Sequence, residues 1–395
     1  MFLRPVGVVL LCLMLCIPEK RGAGVSDELD IRQLARKHGY RLTGYKVTTE
    51  DGYQLGLFRI KGRAEPKPVL LVHGILNSAD TWLLRGNNSL ALALAERGSD
   101  VWMPTCRGGP HSRSHAHLQT HSAHYWDFSF HELGVYDLRA VIDAVLSWTG
   151  AAKLDAVAHS QGNTVFYALL STRPEYNAKV DLLVGLAPVA FLGNVRPPLS
   201  TLIRYGTVLN ELLQKVGVEQ MFGEGSWPNA LIRAVCSRPR VGHLCVSKYL
   251  FPATGADIEE LEPEFLATLV DHFPTSTSRK NLHHFSQVGR RGELARYDYG
   301  ARGNLDRYGS STPPAYNLSL VSAKVALLVG ANDNIATVAD VALLGGRLPN
   351  VVQHLVLPRA RTNHIDLVWG RNMRRYLFPY IFQLLDRYAY DDRRT

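Results

Sequence analysis

Apolar positions along the chain recur with two periods. Over residues 46–60 (KVTTEDGYQLGLFRI) they alternate around Asp51-Gly52, the pattern of two antiparallel strands joined by a tight turn. Residues 69–72 form a short continuous apolar run, as expected of a strand covered on both faces in a parallel sheet, 154–158 is a similar run interrupted by Asp155, 180–186 is another apolar strand, and 100–103, 324–330 and 351–357 also read as strands. Between them lie stretches with helical spacing at 90–96, 130–148, 164–170 and 373–388; in 130–148 the apolar positions are Leu133, Tyr136, Leu138, Val141, Ile142 and Val145. Strands alternating with helices in this way predict a doubly wound α/β sheet.

The alternation breaks after Pro188. Residues 190–307 carry helical patterns at 199–216, 229–236, 262–273 and 278–287 and no buried strand, which predicts a helical cap inserted into the sheet domain. The expected organisation is a first core part at 24–189, the cap at 190–307 and a second core part at 308–395. Before these, residues 1–23 have the form of a secretory signal: Arg4, an apolar or small stretch over 6–17, then Pro18 and the charged Glu19-Lys20-Arg21. Arg21-Gly22-Ala23 is a poor match to a small-x-small cleavage site. No later run reaches the roughly eighteen apolar residues of a membrane span.

A secretory signal changes the reading of the cysteines and asparagines. Cys12 and Cys16 would leave with the signal, Cys236 and Cys245 are close enough to close a small loop over 237–244, and Cys106 remains as the odd thiol, buried and inert. Asn87 (NNS) and Asn317 (NLS) become glycosylation sequons. The net charge of +9 is scattered, with local concentrations at 238–240, 290–291 and 371–375. A nucleic-acid binder usually gathers its charge in one arm or face, so no nucleic-acid partner is expected and the basic residues read as solvated surface.

Candidate chemistry centres on residues 153–163, KLDAVAHSQGN. Ser160 stands where a strand opens into a helix, with small residues two before and two after it, Ala158 and Gly162. That is the nucleophile-elbow pattern G-x-S-x-G with alanine in its first place, although the pentapeptide alone also fits a turn serine capping its helix. A serine nucleophile needs a base and an acid to orient the base, in the chain order Ser, Asp or Glu, His. Asp333 follows the strand at 324–330, and His364 follows the strand at 351–357. Asp340 and Asp366 are weaker candidates for the acid, the first inside the next helix and the second beyond the histidine. For the oxyanion, Gln161 supplies one backbone N–H and the turn after His73-Gly74 supplies the other, at Ile75. His73 is expected to support that turn. The histidine run at 111, 115, 117, 121 and 124 lacks metal-ligand spacing, and His131-Glu132 opens a zincin motif that Val135 does not complete. No phosphate loop or dinucleotide fingerprint is present, so neither metal nor organic cofactor is expected.

These residues carry a family likeness. The segments TEDGY (49–53), HGIL (73–76), DVWM (100–103), HSQG (159–162), APVA (187–190), NLHHFSQ (281–287) and HID with WG (364–366, 369–370) resemble, in order, the blocks of the acid lipase family that includes gastric and lysosomal acid lipases. The likeness spans nearly all of the chain after the signal. It implies an α/β-hydrolase fold, with a mostly parallel central sheet, helices on both faces and an inserted helical cap or lid. It further implies action on triacylglycerols or cholesteryl esters, nucleophile Ser160, acid Asp333, base His364, oxyanion donors Ile75 and Gln161, and a cap disulfide at Cys236 and Cys245. The implied partners are a neutral lipid ester and, transiently, a lipid interface. Three positions depart from the family: Ala158 for glycine, Asn163 for threonine, and Ala331-Asn332-Asp333-Asn334 for a loop closer to Gly-His-Asp-Trp. Rival expectations are a non-catalytic lipid-binding relative and a thioesterase or peptidase on the same fold.

Overall fold

The computed structural model describes residues 31–62, 67–223 and 226–391; the leader expected at 1–23 lies outside them. Eight strands form the frame: β1 (Thr43–Thr48), β2 (Tyr53–Ile60), β3 (Pro68–Val72), β4 (Asp100–Pro104), β5 (Leu154–His159), β6 (Val180–Leu186), β7 (Lys324–Val329) and β8 (Val351–Val356). They lie in the order β1-β2-β4-β3-β5-β6-β7-β8, with the two-residue Ser114–His115 strand added beside β2. β1 pairs with β2 and β2 with β4 in antiparallel register, and every later neighbour is parallel. The Asp51-Gly52 turn closes the hairpin with Gly52 at φ 96°, a conformation that glycine adopts without penalty.

Every residue of β3, β4, β5 and β6 is buried, which explains their unbroken apolar runs. The three carboxylates inside this layer are paired: Asp100 of β4 takes Arg59, Asp155 of β5 and Asp181 of β6 share Lys67, and Asp181 also takes Lys324. Asp155, which interrupts its strand in the sequence, is therefore a structural ion-pair member at the edge away from the elbow.

Helices cover both faces. The core helices before the insertion are α1 (Leu90–Glu96), α2 (Arg139–Thr149) and α3 (Gln161–Thr172). α2 continues a helical stretch that begins at Phe130 behind a Ser129/Glu132 capping box and passes one wide turn at Leu133–Leu138. The polar stretch at 104–125 is tied down by buried Arg107, whose guanidinium reaches both Asp137 and Asp51.

Between β6 and β7 the chain runs through α4 (Leu199–Lys215), α5 (Trp227–Cys236), α6 (Pro239–Cys245), α7 (Pro263–His272), α8 (Arg279–Arg291) and α9 (Gly300–Tyr308). α4 packs along α8, where Ser286 Oγ donates to the Ile203 carbonyl at 2.8 Å. Cys236 and Cys245 are joined, with their Cα atoms 5.9 Å apart, and link the ends of α5 and α6. Two sequence expectations need correction. The insertion does hold a strand pair, Gln220–Met221 against Thr277–Ser278, which is too short to leave a periodic trace. The helix expected at 373–388 is two helices, Met373–Tyr376 and Phe378–Asp391, because Pro379 lacks an N–H and its ring clashes with the preceding turn. We label the others α10 (Val338–Gly345) and α11 (Phe378–Asp391).

Candidate active site

The elbow is built from the end of β5 and the start of α3. Ser160 has φ 52°, ψ −119°, a conformation that non-glycine residues rarely adopt, and its N–H donates to the Leu186 carbonyl at 3.0 Å. The turn brings two backbones together: a Cβ added at Gly162 would lie 2.6 Å from the Val72 carbonyl oxygen, so only glycine fits there. Gly74, on the facing turn, packs so that an added Cβ would lie 3.1 Å from Ser160 Cβ. The N–H of Gln161 opens α3 and therefore has no acceptor within the helix.

Ser160, Asp333 and His364, far apart in sequence, meet in one row. His364 Nε2 lies 2.9 Å from Ser160 Oγ, and His364 Nδ1 lies 2.9 Å from Asp333 Oδ2. Asp333 is fixed by its other oxygen, which accepts from the N–H groups of Ile335 at 2.8 Å and Ala336 at 2.9 Å. Only one tautomer satisfies both ring contacts with a neutral imidazole: Nδ1–H donates to the carboxylate, and Nε2 is left to accept from the serine hydroxyl. All three residues are buried to within a few per cent of full coverage. Asp340 instead accepts from Asn194 and Thr337, and Asp366 from the Asn363 N–H, so neither reaches the imidazole ring.

Two buried histidines frame the row. His159 Nε2 lies 2.9 Å from the His364 carbonyl, to which it donates. Burial, reinforced by the nearby His364, pulls its pKa down to about 3, so it stays neutral and acts as a prop. His73 braces the turn that leads to Ile75: the Cys106 N–H donates to its Nε2 at 3.1 Å and its Nδ1 lies 2.8 Å from the Gly74 carbonyl. Burial lowers its pKa to about 4. No local pattern in the sequence marks His159 for this role. The same holds for Thr254, whose carbonyl accepts the His364 N–H at 3.1 Å from within the insertion.

Ser160, His364, Ile75 and Gln161 line one wall of a cavity of about 420 Å³. The rest of its lining is mainly apolar side chains, including Leu199, Ile203, Leu213, Phe222 and Phe285 from the insertion and Trp369 from the core. The histidine run disperses: His111 binds Asp80, His115 approaches the Asp51 carbonyl, and His117, His121 and His124 are exposed. Among the described residues, no group of three or more His, Cys, Asp or Glu side chains is arranged to hold a metal ion. Cys106 is half-buried, and burial pushes its thiol well above the usual range, so it is a poor nucleophile. Asn87 and Asn317 are both exposed.

The chain matches two family models, a partial α/β-hydrolase lipase region over residues 31–86 and the α/β hydrolase fold over residues 67–217. It is 34% identical to Lipase 1 of Drosophila melanogaster over 93% of this chain and 82% of that one. It is 33% identical to human Lipase member K, covering 94% of each chain. With human gastric triacylglycerol lipase it shares 33% identity over 90% of this chain and 91% of that one. A crystal structure of a protein from Acinetobacter baumannii AYE has the same fold, with a TM-score of 0.51 at 13% identity, covering 93% of this chain and 99% of the other. The ordered sheet, the elbow and the likeness to lipases along almost the whole length agree: the chain belongs to the gastric and lysosomal acid lipase-like family of α/β-hydrolase lipases.

Proposed function

We propose that the protein is a serine lipase or esterase that hydrolyses carboxylic esters of neutral lipids, triacylglycerols or steryl esters, through an acyl-enzyme. The observation that carries this reading is the row Ser160–His364–Asp333, with 2.9 Å between each pair of atoms, opening into an apolar cavity. In this reading Ser160 Oγ attacks the ester carbonyl carbon as His364 Nε2 takes its proton. Asp333 holds the imidazole in the required tautomer and stabilises it once charged. The N–H groups of Ile75 and Gln161 receive the oxyanion, a contribution commonly worth several kcal/mol. His364 then returns the proton to the departing alcohol, and a water activated by the same ring releases the acid and regenerates the serine. No residue in this cycle needs a metal or organic cofactor.

The division of labour proposed for the chain is a core at 24–189 and 308–395 that carries the reacting groups, and a cap at 190–307 that supplies the acyl pocket and meets the lipid interface. Delivery to a secreted or lysosomal compartment through the 1–23 leader, with glycans on exposed Asn87 and Asn317, fits the gastric lipase relatives and the paired cysteines.

The test is hydrolysis of p-nitrophenyl esters and emulsified triacylglycerol by the mature protein and by Ser160→Ala. Turnover should fall on the order of 10⁴- to 10⁶-fold in the variant at every acyl length. Equal, negligible rates for both proteins, with retained lipid binding, would instead favour a non-catalytic lipid carrier.

A further inference from the structure

The two oxyanion donors come from different turns, and one segment of the insertion touches the supports of both. On the Ile75 side the backbone enters the left-handed region at Leu76, φ 60°. A leucine held there is strained and persists only when its surroundings fix it. Thr275 does so twice: its N–H donates to the Leu76 carbonyl at 2.8 Å, and its hydroxyl donates to the Asn77 carbonyl at 3.0 Å. Farther along the same loop, the Asp80 carboxylate lies 2.8 Å from His272 Nδ1 and 2.7 Å from His111 Nε2, so the insertion and the core grip it together. Burial pushes the Asp80 carboxyl up, yet its hydrogen bonds to His111 and His272 outweigh this and hold it below the usual range.

On the Gln161 side, Asn281 Nδ2 donates to Gln161 Oε1 at 2.7 Å and to Thr277 Oγ1 at 3.1 Å. The segment is itself anchored to the core, with Ser276 Oγ donating to the Gly108 carbonyl and Ser278 Oγ to the Phe128 carbonyl. Thr275 and Asn281 are buried at 5% and 0% exposure, so water does not compete for these bonds.

We propose that residues 272–281 of the insertion set the spacing of the oxyanion donors, with Thr275 the positioning residue for Ile75 N–H and Asn281 the positioning residue for Gln161 N–H. The inference rests on the hydrolase reading and deepens it. Oxyanion stabilisation requires both donors at roughly 2.7–3.1 Å from one oxygen, and the insertion adds its own bonds to the turn after Ile75 and to the side chain of Gln161. The insertion is then part of the catalytic frame as well as the roof of the acyl pocket.

The experiment compares kcat and KM of wild type, Thr275→Val, Thr275→Ser and Asn281→Ala on p-nitrophenyl butyrate and on its thionoester, in which sulfur replaces the carbonyl oxygen and accepts hydrogen bonds poorly. Thr275→Val and Asn281→Ala should each lower kcat on the oxoester on the order of 10- to 100-fold with KM little changed. The loss on the thionoester should be clearly smaller, and Thr275→Ser should restore turnover. A general loosening of the fold would lower both substrates alike, and that result, or wild-type kcat in both variants, would overturn the proposal. If Thr275→Val does not fold, the oxoester-to-thionoester ratio of Asn281→Ala decides on the same criteria. Ser160→Ala runs alongside: full hydrolysis surviving in it sinks the Ser160 mechanism on which this inference rests, whereas an inactive Ser160→Ala beside unaffected positioning variants sinks only this inference.

Discussion

At the elbow, Ala158 and Asn163 both pack against the neighbouring strand β6. Ala158 lies beside Gly185 of β6 in the parallel register, so the neighbouring position on that strand carries no side chain next to its methyl group. Asn163 fills part of the same space, since a Cβ at Gly185 would lie 2.5 Å from its Oδ1, and its Nδ2 donates to the Ala158 carbonyl at 2.9 Å. Ala158→Gly should therefore change kcat less than about threefold and lower stability by about 0.5–1 kcal/mol through backbone entropy. Gly185→Ala should cost far more, about 2–3 kcal/mol, because the new methyl has nowhere to go; urea unfolding with parallel esterase assays separates the two. At this scale Ser160, Asp333 and His364 were legible because each sits just past the end of a strand, where chain order constrains what can meet. Thr275 and Asn281 were not, because their contacts join residues far apart in sequence and no local pattern records such a bond.

Among the elements, the core strands were readable almost to the residue, since burial on both faces demands uninterrupted apolar runs. The insertion was readable only as helical. Its α6, α9 and the Gln220–Met221 pairing with Thr277–Ser278 have no strong period, and α6 takes its place from a proline start and a disulfide rather than from an apolar stripe. That disulfide closes a short loop. In the chain-entropy picture its removal by Cys236→Ser with Cys245→Ser should cost about 2–3 kcal/mol. The loss should fall on the insertion: hydrogen exchange should rise across α5 and α6 while β3 to β6 keep their protection. Uniform loss of protection across the sheet would mean that insertion and core unfold as one cooperative unit.

For the whole molecule, buried titratable groups set a stability profile with two opposed slopes. His159 and His284 are drawn down to about 3, and His73 and His283 to about 4, chiefly by burial, against an ordinary value of 6.5. Each is neutral when folded and binds a proton on unfolding, so the stability they contribute is present above about 6.5 and is lost as pH falls toward 4 and 3. Asp366 works the other way. Burial, together with nearby Glu260, raises it to about 7 despite the Asn363 N–H, so it favours the folded state below its ordinary 3.8, and that advantage is lost as pH rises to about 7. Asp366→Asn, which keeps an oxygen acceptor for Asn363, should leave the melting temperature near wild type at pH 4 and raise it progressively up to pH 7. A constant offset across that range would show that Asp366 does not titrate as described. The central claim concerns the chemistry, and the most direct measurement is to quench turnover of a p-nitrophenyl ester in acid and map the acyl group by peptide mass spectrometry. The account requires one acyl group per molecule, on Ser160, absent from Ser160→Ala and formed much more slowly in His364→Ala. An acyl group on another residue, or undiminished hydrolysis in Ser160→Ala, would contradict it.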